Sequence, residues 1–102
     1  MTTRVRCAVT IAGSDSGGGA GIQADLKVFH AFDLYGASIV TAVTAQNSGE
    51  LLTIEPIDAL VVDAQIESVA ADLCIDAVKT GMLVNAATVS TVAAAFERHM
   101  FP

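Results

Sequence analysis

A glycine-rich run between two apolar segments is the feature that most constrains how this chain can fold. Residues 12–25 read AGSDSGGGAGIQAD, with five glycines among the nine residues 13–21. An apolar segment typical of a strand precedes the run, and a segment with helical spacing follows it. A cluster of glycine inside a folded core is costly unless something approaches the backbone closely. The run therefore predicts a strand-to-helix loop that binds a ligand.

The rest of the chain repeats the order of strand and helix. We predict a strand over residues 5–12, a helix from about residue 22 to residues 33–36, a strand over 37–45, a polar loop over 46–55, a helix capped by Asp58 and running to about residue 72, a strand over 74–79, a turn over 80–83 and a last helix capped by Asn85. The residues expected on the buried helix faces are Ile22, Leu26, Val28, Phe29, Phe32, Val62, Ile66, Val69, Leu73, Val89, Val92, Phe96 and Met100. This alternation predicts an α/β fold with a mostly parallel sheet and flanking helices.

Length and charge exclude several classes of function. The chain has 102 residues, enough for one small domain, and its net charge is −6 with only five scattered Lys and Arg residues. Nucleic-acid backbones require clustered basic residues, so we expect no nucleic-acid partner. The least charged stretch, residues 80–96, is too polar to span a membrane. The basic N-terminus precedes too short an apolar run for a secretory signal, and we expect a cytoplasmic protein.

The two cysteines indicate neither a disulfide nor a metal site. Cys7 and Cys74 are far apart in sequence, and each lies in an apolar segment. We predict that both are buried free thiols. His30 and His99 lie in predicted helices without a neighbouring nucleophile, and we expect both at the surface. The sequence contains no HExxH motif, no Cys/His cluster and no nucleophile elbow, so no metal site is predicted.

Ligands of parallel α/β sheets bind at the carboxyl ends of the strands. Three segments meet at that edge here: residues 13–21, 44–47 and 80–83. The glycine run does not match the Walker A motif, because Gly19 and Ala20 stand where Lys and Ser or Thr are needed. It does not match the dinucleotide fingerprint either, because Ile22 stands where the last glycine is needed. The residues alone leave a general anion or ligand site at a helix N-terminus, or a flexible turn.

Four polar or polarizable side chains lie near these three segments. Asp25 is either an acid of the first helical turn or an acceptor for a ligand N–H pair. Gln46 offers a donor and an acceptor to a heteroaromatic edge, and Met82 offers a thioether to a ring, although loop amides often contact water and methionines often lie in cores. Lys79 is either a phosphate partner or a strand-end residue that extends its ammonium into solvent, and we favour the second.

Three ordered motifs carry a resemblance to a known family. They read AGSDSGGGAGIQAD from residue 12, TAVTAQN from residue 41 and DAVKTGML from residue 76. Together they resemble the N-terminal half of the hydroxymethylpyrimidine/phosphomethylpyrimidine kinases, which have a three-layer ribokinase-like fold. The resemblance covers residues 9–102, and the first motif is close to diagnostic of the family. It implies an ATP-dependent kinase that phosphorylates the hydroxymethyl group of an aminopyrimidine, and then its monophosphate, for thiamine biosynthesis.

The resemblance also implies which residues bind the substrate. On the matching positions, the pyrimidine pocket comprises Gly13, Asp25, Thr44, Gln46 and Met82. A carboxylate would accept from the exocyclic amino group, an amide would complete the polar edge, and thioether and glycine backbone would enclose the ring. The glycine run would then bind substrate rather than a nucleotide phosphate. ATP and Mg²⁺ are the implied cofactors, and the full-length family is expected to form homodimers.

Two departures from the family pattern limit this reading. Residues 48–52 read SGELL, where the family has a Thr-rich segment, so the loop that covers the substrate differs. The Asp-Pro-Val, Lys-Gly-Gly and Gly-x-Gly-Asp elements, which supply the anion hole, the catalytic Asp and most ATP and Mg²⁺ contacts, do not occur in these 102 residues. We expect a truncated N-terminal part of one kinase domain, with no catalytic residue and no activity alone. The alternatives are a kinase of a pyridoxal-type vitamer and a non-catalytic binding or assembly half domain.

Overall fold

The fold is given by a computed structural model, which describes residues 4–102. Its elements, in chain order, are β1 (Cys7–Asp15), α1 (Gly21–Ala31), β2 (Tyr35–Gln46), β3 (Leu51–Pro56), α2 (Ala59–Asp72), β4 (Ala77–Thr80) and α3 (Ala86–His99). The predicted caps of the last two helices are confirmed. Asp58 accepts from the Leu60 N–H at 2.8 Å, and Asn85 accepts from the Thr88 N–H at 3.0 Å.

One mixed sheet organises the molecule, with strand order β3-β2-β1-β4. The central strand β1 pairs in parallel with both β2 and β4, whereas β3 pairs antiparallel with β2. The carboxyl ends of β1, β2 and β4 therefore meet at one edge of the sheet. The predicted α/β fold with a mostly parallel sheet is confirmed.

The helices cover both faces of the sheet. Along β1, side chains alternate between the faces. Cys7, Val9 and Ile11 belong to the main hydrophobic core, whose other buried members are Ile39, Val62, Ile66, Val92 and Ala95 from β2, α2 and α3. Thr10 points to the opposite face, where its hydroxyl contacts Asp25 of α1. The chain is thus arranged in three layers.

The predicted loop over residues 46–55 is wrong, because Leu51–Pro56 forms strand β3. All six of its residues are exposed, so the strand is held by backbone pairing to β2 and leaves no pattern of buried residues in the sequence. The predicted bounds of the other three strands also differ, β2 by starting at Tyr35 and ending at Gln46 instead of spanning 37–45. β1 continues beyond residue 12 to Asp15, and β4 begins at Ala77 instead of residue 74.

The later start of β4 explains why one cysteine prediction is wrong. Cys74 lies in the connection between α2 and β4 and is exposed, whereas Cys7 in β1 is buried as predicted. Burial raises the pKa of the Cys7 thiol. This thiol is therefore a core side chain held in its neutral form.

Helical spacing overestimated the width of two buried helix faces. Phe32 lies just beyond α1 and is 73% exposed, and Val28 is also exposed. At α3, Val89 is exposed, and Met100 is 85% exposed because it follows the end of the helix with φ of 52°. These residues lie beyond the surface that the sheet and the neighbouring helix cover.

In the part of the chain that the structure describes, no helix is long and apolar enough to cross a membrane. The interpretation of the N-terminus as unlike a secretory signal rests partly on residues 1–3, which lie outside the described residues.

Candidate functional site

A cavity of about 310 Å³ lies at the edge of the sheet where the parallel strands end. It is bounded by the ends of β1, β2 and β4 and by the start of α1. The lining residues are Ala12, Gly13, Ser14, Asp15, Ala20, Gly21, Thr44, Gln46, Lys79, Gly81 and Met82. All three segments that the sequence placed at this edge contribute to it.

The carboxylate of Asp15 organises the glycine loop. It accepts hydrogen bonds from the backbone N–H groups of Gly17 at 2.8 Å, Gly19 at 2.9 Å and Ala20 at 2.8 Å. Burial raises the pKa of Asp15, but the hydrogen bonds from Gly17 and Ala20, the Gln46 side chain and Gly19 outweigh burial and lower the pKa overall. Asp15 is therefore an ionised side chain that fixes the conformation of the loop.

Gly21 allows the start of α1 to lie directly against β1. Its φ is +58°, and a Cβ built on it would lie 2.3 Å from the carbonyl oxygen of Gly13. A Cβ on Gly13 would meet the terminal methyl of Met82 at 2.7 Å. Ala20 provides no side-chain cap for the helix, so the N-terminus of α1 faces the cavity without one. This arrangement leaves backbone donors beside the cavity.

Side chains at the end of β2 attach that strand to the glycine loop. The Thr44 hydroxyl donates to the carbonyl of Ser14 at 2.7 Å. The Ser16 hydroxyl donates to the carbonyl of Gln46 at 2.7 Å and accepts from the Gln46 backbone N–H at 2.8 Å. These bonds engage the backbone of Gln46, and its side chain hydrogen-bonds to Asp15, so this lining residue is tied to the glycine loop by both its backbone and its amide.

Met82 is held at the opposite side of the cavity by its own backbone. Its carbonyl accepts from the Thr41 hydroxyl at 2.6 Å, and Thr41 is fully buried in β2. The thioether side chain is 39% exposed and contacts the position of Gly13. A partly exposed, polarizable side chain at a cavity mouth suits contact with a flat ring.

Asp25 and Lys79 form an ion pair next to the cavity. The Lys79 ammonium donates to Asp25 Oδ2 at 2.8 Å, and the Thr10 hydroxyl donates to the same oxygen at 2.6 Å. Asp25 lies in the second turn of α1, so its interpretation as a first-turn acid is wrong. Lys79, which we expected to extend its ammonium into solvent, has a half-exposed side chain whose ammonium is paired with Asp25.

Four of the five residues implied as substrate contacts line the cavity: Gly13, Thr44, Gln46 and Met82. Asp25 does not line it, although its partner Lys79 does. Sequence reasoning missed Asp15 as the residue that organises the loop. Its signal is local, since an Asp followed by Ser16 and then three glycines, residues 17–19, is typical of a carboxylate that binds its own downstream backbone.

The described residues include no cluster of three or more His, Cys, Asp or Glu side chains that could hold a metal ion. His30 is exposed as expected, but His99 is partly buried, with Nε2 2.8 Å from Glu67 Oε1. The cavity lining fits a small, largely uncharged ring better than a nucleotide with Mg²⁺, because its one cation is paired with Asp25. No step of phosphoryl transfer is therefore assigned to residues 4–102.

Comparison with the profiles of protein families identifies the family of this chain. The profile described as phosphomethylpyrimidine kinase matches residues 15–102. The chain belongs to this family. The hydroxymethylpyrimidine/phosphomethylpyrimidine kinase of Bacillus subtilis is 52% identical over 94 residues, which cover 92% of this chain and 35% of that protein. The chain spans about a third of the length of the curated relatives it matches.

Solved structures of vitamin kinases share the fold. The phosphomethylpyrimidine kinase of Clostridium difficile superposes with a TM-score of 0.91 at 41% identity, covering 94% of this chain and 42% of that one. The pyridoxal kinase of Staphylococcus aureus, solved with AMP-PCP and pyridoxal, gives a TM-score of 0.83 at 33% identity, with coverages of 94% and 36%. The expected ribokinase-like, three-layer architecture is confirmed by these neighbours.

Proposed function

We propose that this chain is the pyrimidine-binding part of a kinase that phosphorylates hydroxymethylpyrimidine and its monophosphate in thiamine biosynthesis. The observation that carries the proposal is the cavity at the ends of the parallel strands, lined by Gly13, Thr44, Gln46 and Met82 in a chain of the phosphomethylpyrimidine kinase family. Relatives named for this activity, such as the Bacillus subtilis enzyme, support it.

The lining supplies the chemistry that an aminopyrimidine needs. The ring would pack against the weakly polar surface that the backbone at Gly13 and the adjoining thioether of Met82 form together. The Gln46 amide would pair with a ring edge through one donor and one acceptor. Thr44 would act indirectly, because its hydroxyl already donates to Ser14. The exocyclic amino group would donate a hydrogen bond to Oδ1 of Asp25.

The phosphoryl donor of this proposal is ATP with Mg²⁺. The Staphylococcus aureus relative was solved with the ATP analogue AMP-PCP, which supports an ATP-dependent reaction. We propose that residues 1–102 form the N-terminal part of a single kinase domain, whose ATP contacts and catalytic base are supplied by other residues. Phosphoryl transfer depends on charge stabilisation around the transferred group, so the isolated chain should bind substrate without turning it over.

A pyridoxal-type vitamer is the second candidate substrate. It is favoured by the structural match to the pyridoxal kinase that binds pyridoxal. Pyridoxal also presents a ring of similar size but lacks the exocyclic amino group that Asp25 would recognise. Competition between hydroxymethylpyrimidine and pyridoxine for the chain therefore separates the two candidates.

Isothermal titration calorimetry of the chain with hydroxymethylpyrimidine tests the proposal. We expect saturable binding that Gln46→Ala weakens about tenfold, the cost of losing a paired hydrogen-bonding group. Ser90→Ala, on the exposed face of α3, is the matched control and should bind like the unaltered chain. Absence of binding by a chain with a folded circular dichroism spectrum would contradict the proposal.

We further propose that the protein assembles as a homodimer. Strand β3 supports this, because it is an exposed edge strand with apolar residues along its length. A second copy could add its own β3 to extend the sheet across a twofold axis.

A further inference from the structure

We propose that Lys79 is a positioning residue for the pyrimidine site: its ammonium binds one oxygen of Asp25 and leaves the other oxygen free for a ligand N–H. The inference rests on the proposed function, because the ligand is an aminopyrimidine. It adds a role for a residue that acts through Asp25 rather than directly on the ring.

Both donors to Asp25 converge on the same oxygen. Thr10 Oγ1 lies 2.6 Å and Lys79 Nζ 2.8 Å from Oδ2. Within residues 4–102, no hydrogen bond reaches Oδ1, and this oxygen is not sealed from solvent. A carboxylate can accept up to about four hydrogen bonds, so Oδ1 retains its full capacity. The carboxylate is fixed by one oxygen and available through the other.

The location of the pair links it to the cavity. Lys79 is the penultimate residue of β4 and lines the cavity, and Gly21, which also lines it, lies four residues before Asp25 on α1. Residues four apart on a helix share a face, so Asp25 lies one turn below the cavity wall. The Asp25 carboxylate therefore lies about one helical turn from the space where the ring would bind.

Within residues 4–102, Lys79 is the basic side chain that pairs with Asp25. From β1, Asp25 meets only the neutral hydroxyl of Thr10, and from β4 only Lys79. On its own helix, Lys27 donates to the carbonyl of Gly18 instead. Burial raises the pKa of Asp25, but the hydrogen bonds from Lys79 and Thr10 and the charge of Lys79 lower it overall. Lys79 thus keeps the partly buried carboxylate ionised.

A purely structural ion pair is the competing interpretation. The Lys79 side chain is 49% exposed and that of Asp25 17%. Pairs with such an exposed partner contribute little to stability, because water screens them. The structural interpretation therefore predicts that removing Lys79 has small effects everywhere. The positioning role predicts instead a specific effect on ligand binding and on the pH at which binding is lost.

The test compares Lys79→Met and Lys79→Arg with the unaltered chain. The pKa of Asp25 is read from carbon-detected NMR titration of its carboxyl, and the affinity for hydroxymethylpyrimidine is measured by calorimetry from pH 3 to pH 8 in roughly unit steps. Lys79→Met should raise the pKa of Asp25, weaken binding about tenfold at neutral pH and move the acid loss of binding to higher pH. Lys79→Arg should restore both, since arginine keeps the charge and the donors.

Two controls make the outcome decisive. Arg6→Gln removes the same charge far from the cavity and should leave the pH profile unchanged. In the Asp25→Asn variant, binding should no longer weaken in acid, whether residue 79 is lysine or methionine. The inference is overturned if Lys79→Met leaves the pKa of Asp25 or the binding profile as in the unaltered chain. Absence of binding by the unaltered chain at every pH would instead refute the proposed function.

Discussion

At the scale of single residues, the shape of the cavity depends most on Gly21. The sequence indicated a ligand-binding glycine loop, but five glycines gave no indication of which one the backbone requires. The structure separates them by contact. Only at Gly21 does positive φ coincide with a backbone atom 2.3 Å from an added Cβ. The close approach to the Gly13 carbonyl is made between two backbone segments, which a sequence pattern does not record.

Gly21→Ala should therefore destabilise the fold strongly. An L-residue in the left-handed region costs about 1–2 kcal/mol, and the displaced carbonyl of Gly13 adds to this cost. We expect the free energy of unfolding in urea to fall by at least about 2 kcal/mol. Gly19→Ala is the matched control, because its Cβ would have no contact closer than 4.0 Å and its φ is not positive. Equal losses for the two variants would contradict this account.

The site residues differ in how far the sequence predicts them. Gly13, Thr44, Gln46 and Met82 line one cavity, because strand order fixed where their segments end, and their role as substrate contacts stays a prediction. The state of Asp25 was not predictable, since its partner Lys79 is 54 residues away in sequence. Contacts of this range depend on the register between α1, β1 and β4.

At the scale of elements, the starts of α2 and α3 were the most predictable features. Their signals are local, because a cap bonds to an N–H two or three residues away. Strand β3 was missed for the opposite reason. Its existence depends on pairing with β2, while Gly49 and the polar residues around it are typical of a loop. A strand that is stabilised by pairing with another strand has little pattern in its own sequence.

The Asn85 cap at the start of α3 should contribute to the stability of the fold. Asn85→Ala removes the acceptor that the Thr88 N–H uses at 3.0 Å, and should lower the free energy of unfolding by about 1 kcal/mol. Asn85→Ser keeps a capping oxygen and should retain most of that stability. Chemical denaturation of both variants measures the difference. If serine proves as costly as alanine, the cap is not what stabilises the start of this helix.

At the scale of the whole molecule, the ion pair between Arg4 and Asp76 joins the beginning of the described chain to β4. Arg4 donates two hydrogen bonds to the carboxylate, at 2.9 and 2.6 Å, and the Cys7 N–H donates a third at 2.8 Å. The bonds from Arg4 and then Cys7 lower the pKa of Asp76 to about 2. The bond from Cys7 joins the start of β1 to the residue before β4, 69 residues further along the chain.

This pair should give the molecule a defined loss of stability in acid. The carboxyl titrates near pH 4 when unfolded but near 2 when folded, so between these values the unfolded state binds more protons. Its stabilisation is therefore complete above about pH 4 and lost as the pH falls towards 2. Asp76→Asn should flatten the dependence of unfolding free energy on pH in that window. An unchanged slope in the variant would show that other carboxylates cause the acid loss.

The exposed edge at β3 governs how copies of the whole molecule should interact. Leu52 is 68% exposed, and Leu51, Ile54 and the neighbouring Val43 of β2 are exposed as well. An unpaired strand edge with apolar side chains favours pairing with another edge, because it buries that surface and satisfies free backbone groups. We therefore expect the chain to self-associate as its concentration rises. A twofold axis that joins two copies at this edge would pair their β3 strands antiparallel.

A lysine at this edge should prevent that association. Leu52→Lys brings two like charges together in a twofold contact and removes apolar surface, so sedimentation velocity should show the variant as monomer at concentrations where the unaltered chain associates. Val89→Lys, on the exposed part of α3, is the control for a general gain in solubility. If both lysines reduce association equally, the effect is one of net charge. If neither does, another surface joins the copies, and β4, the opposite edge of the sheet, becomes the next to test.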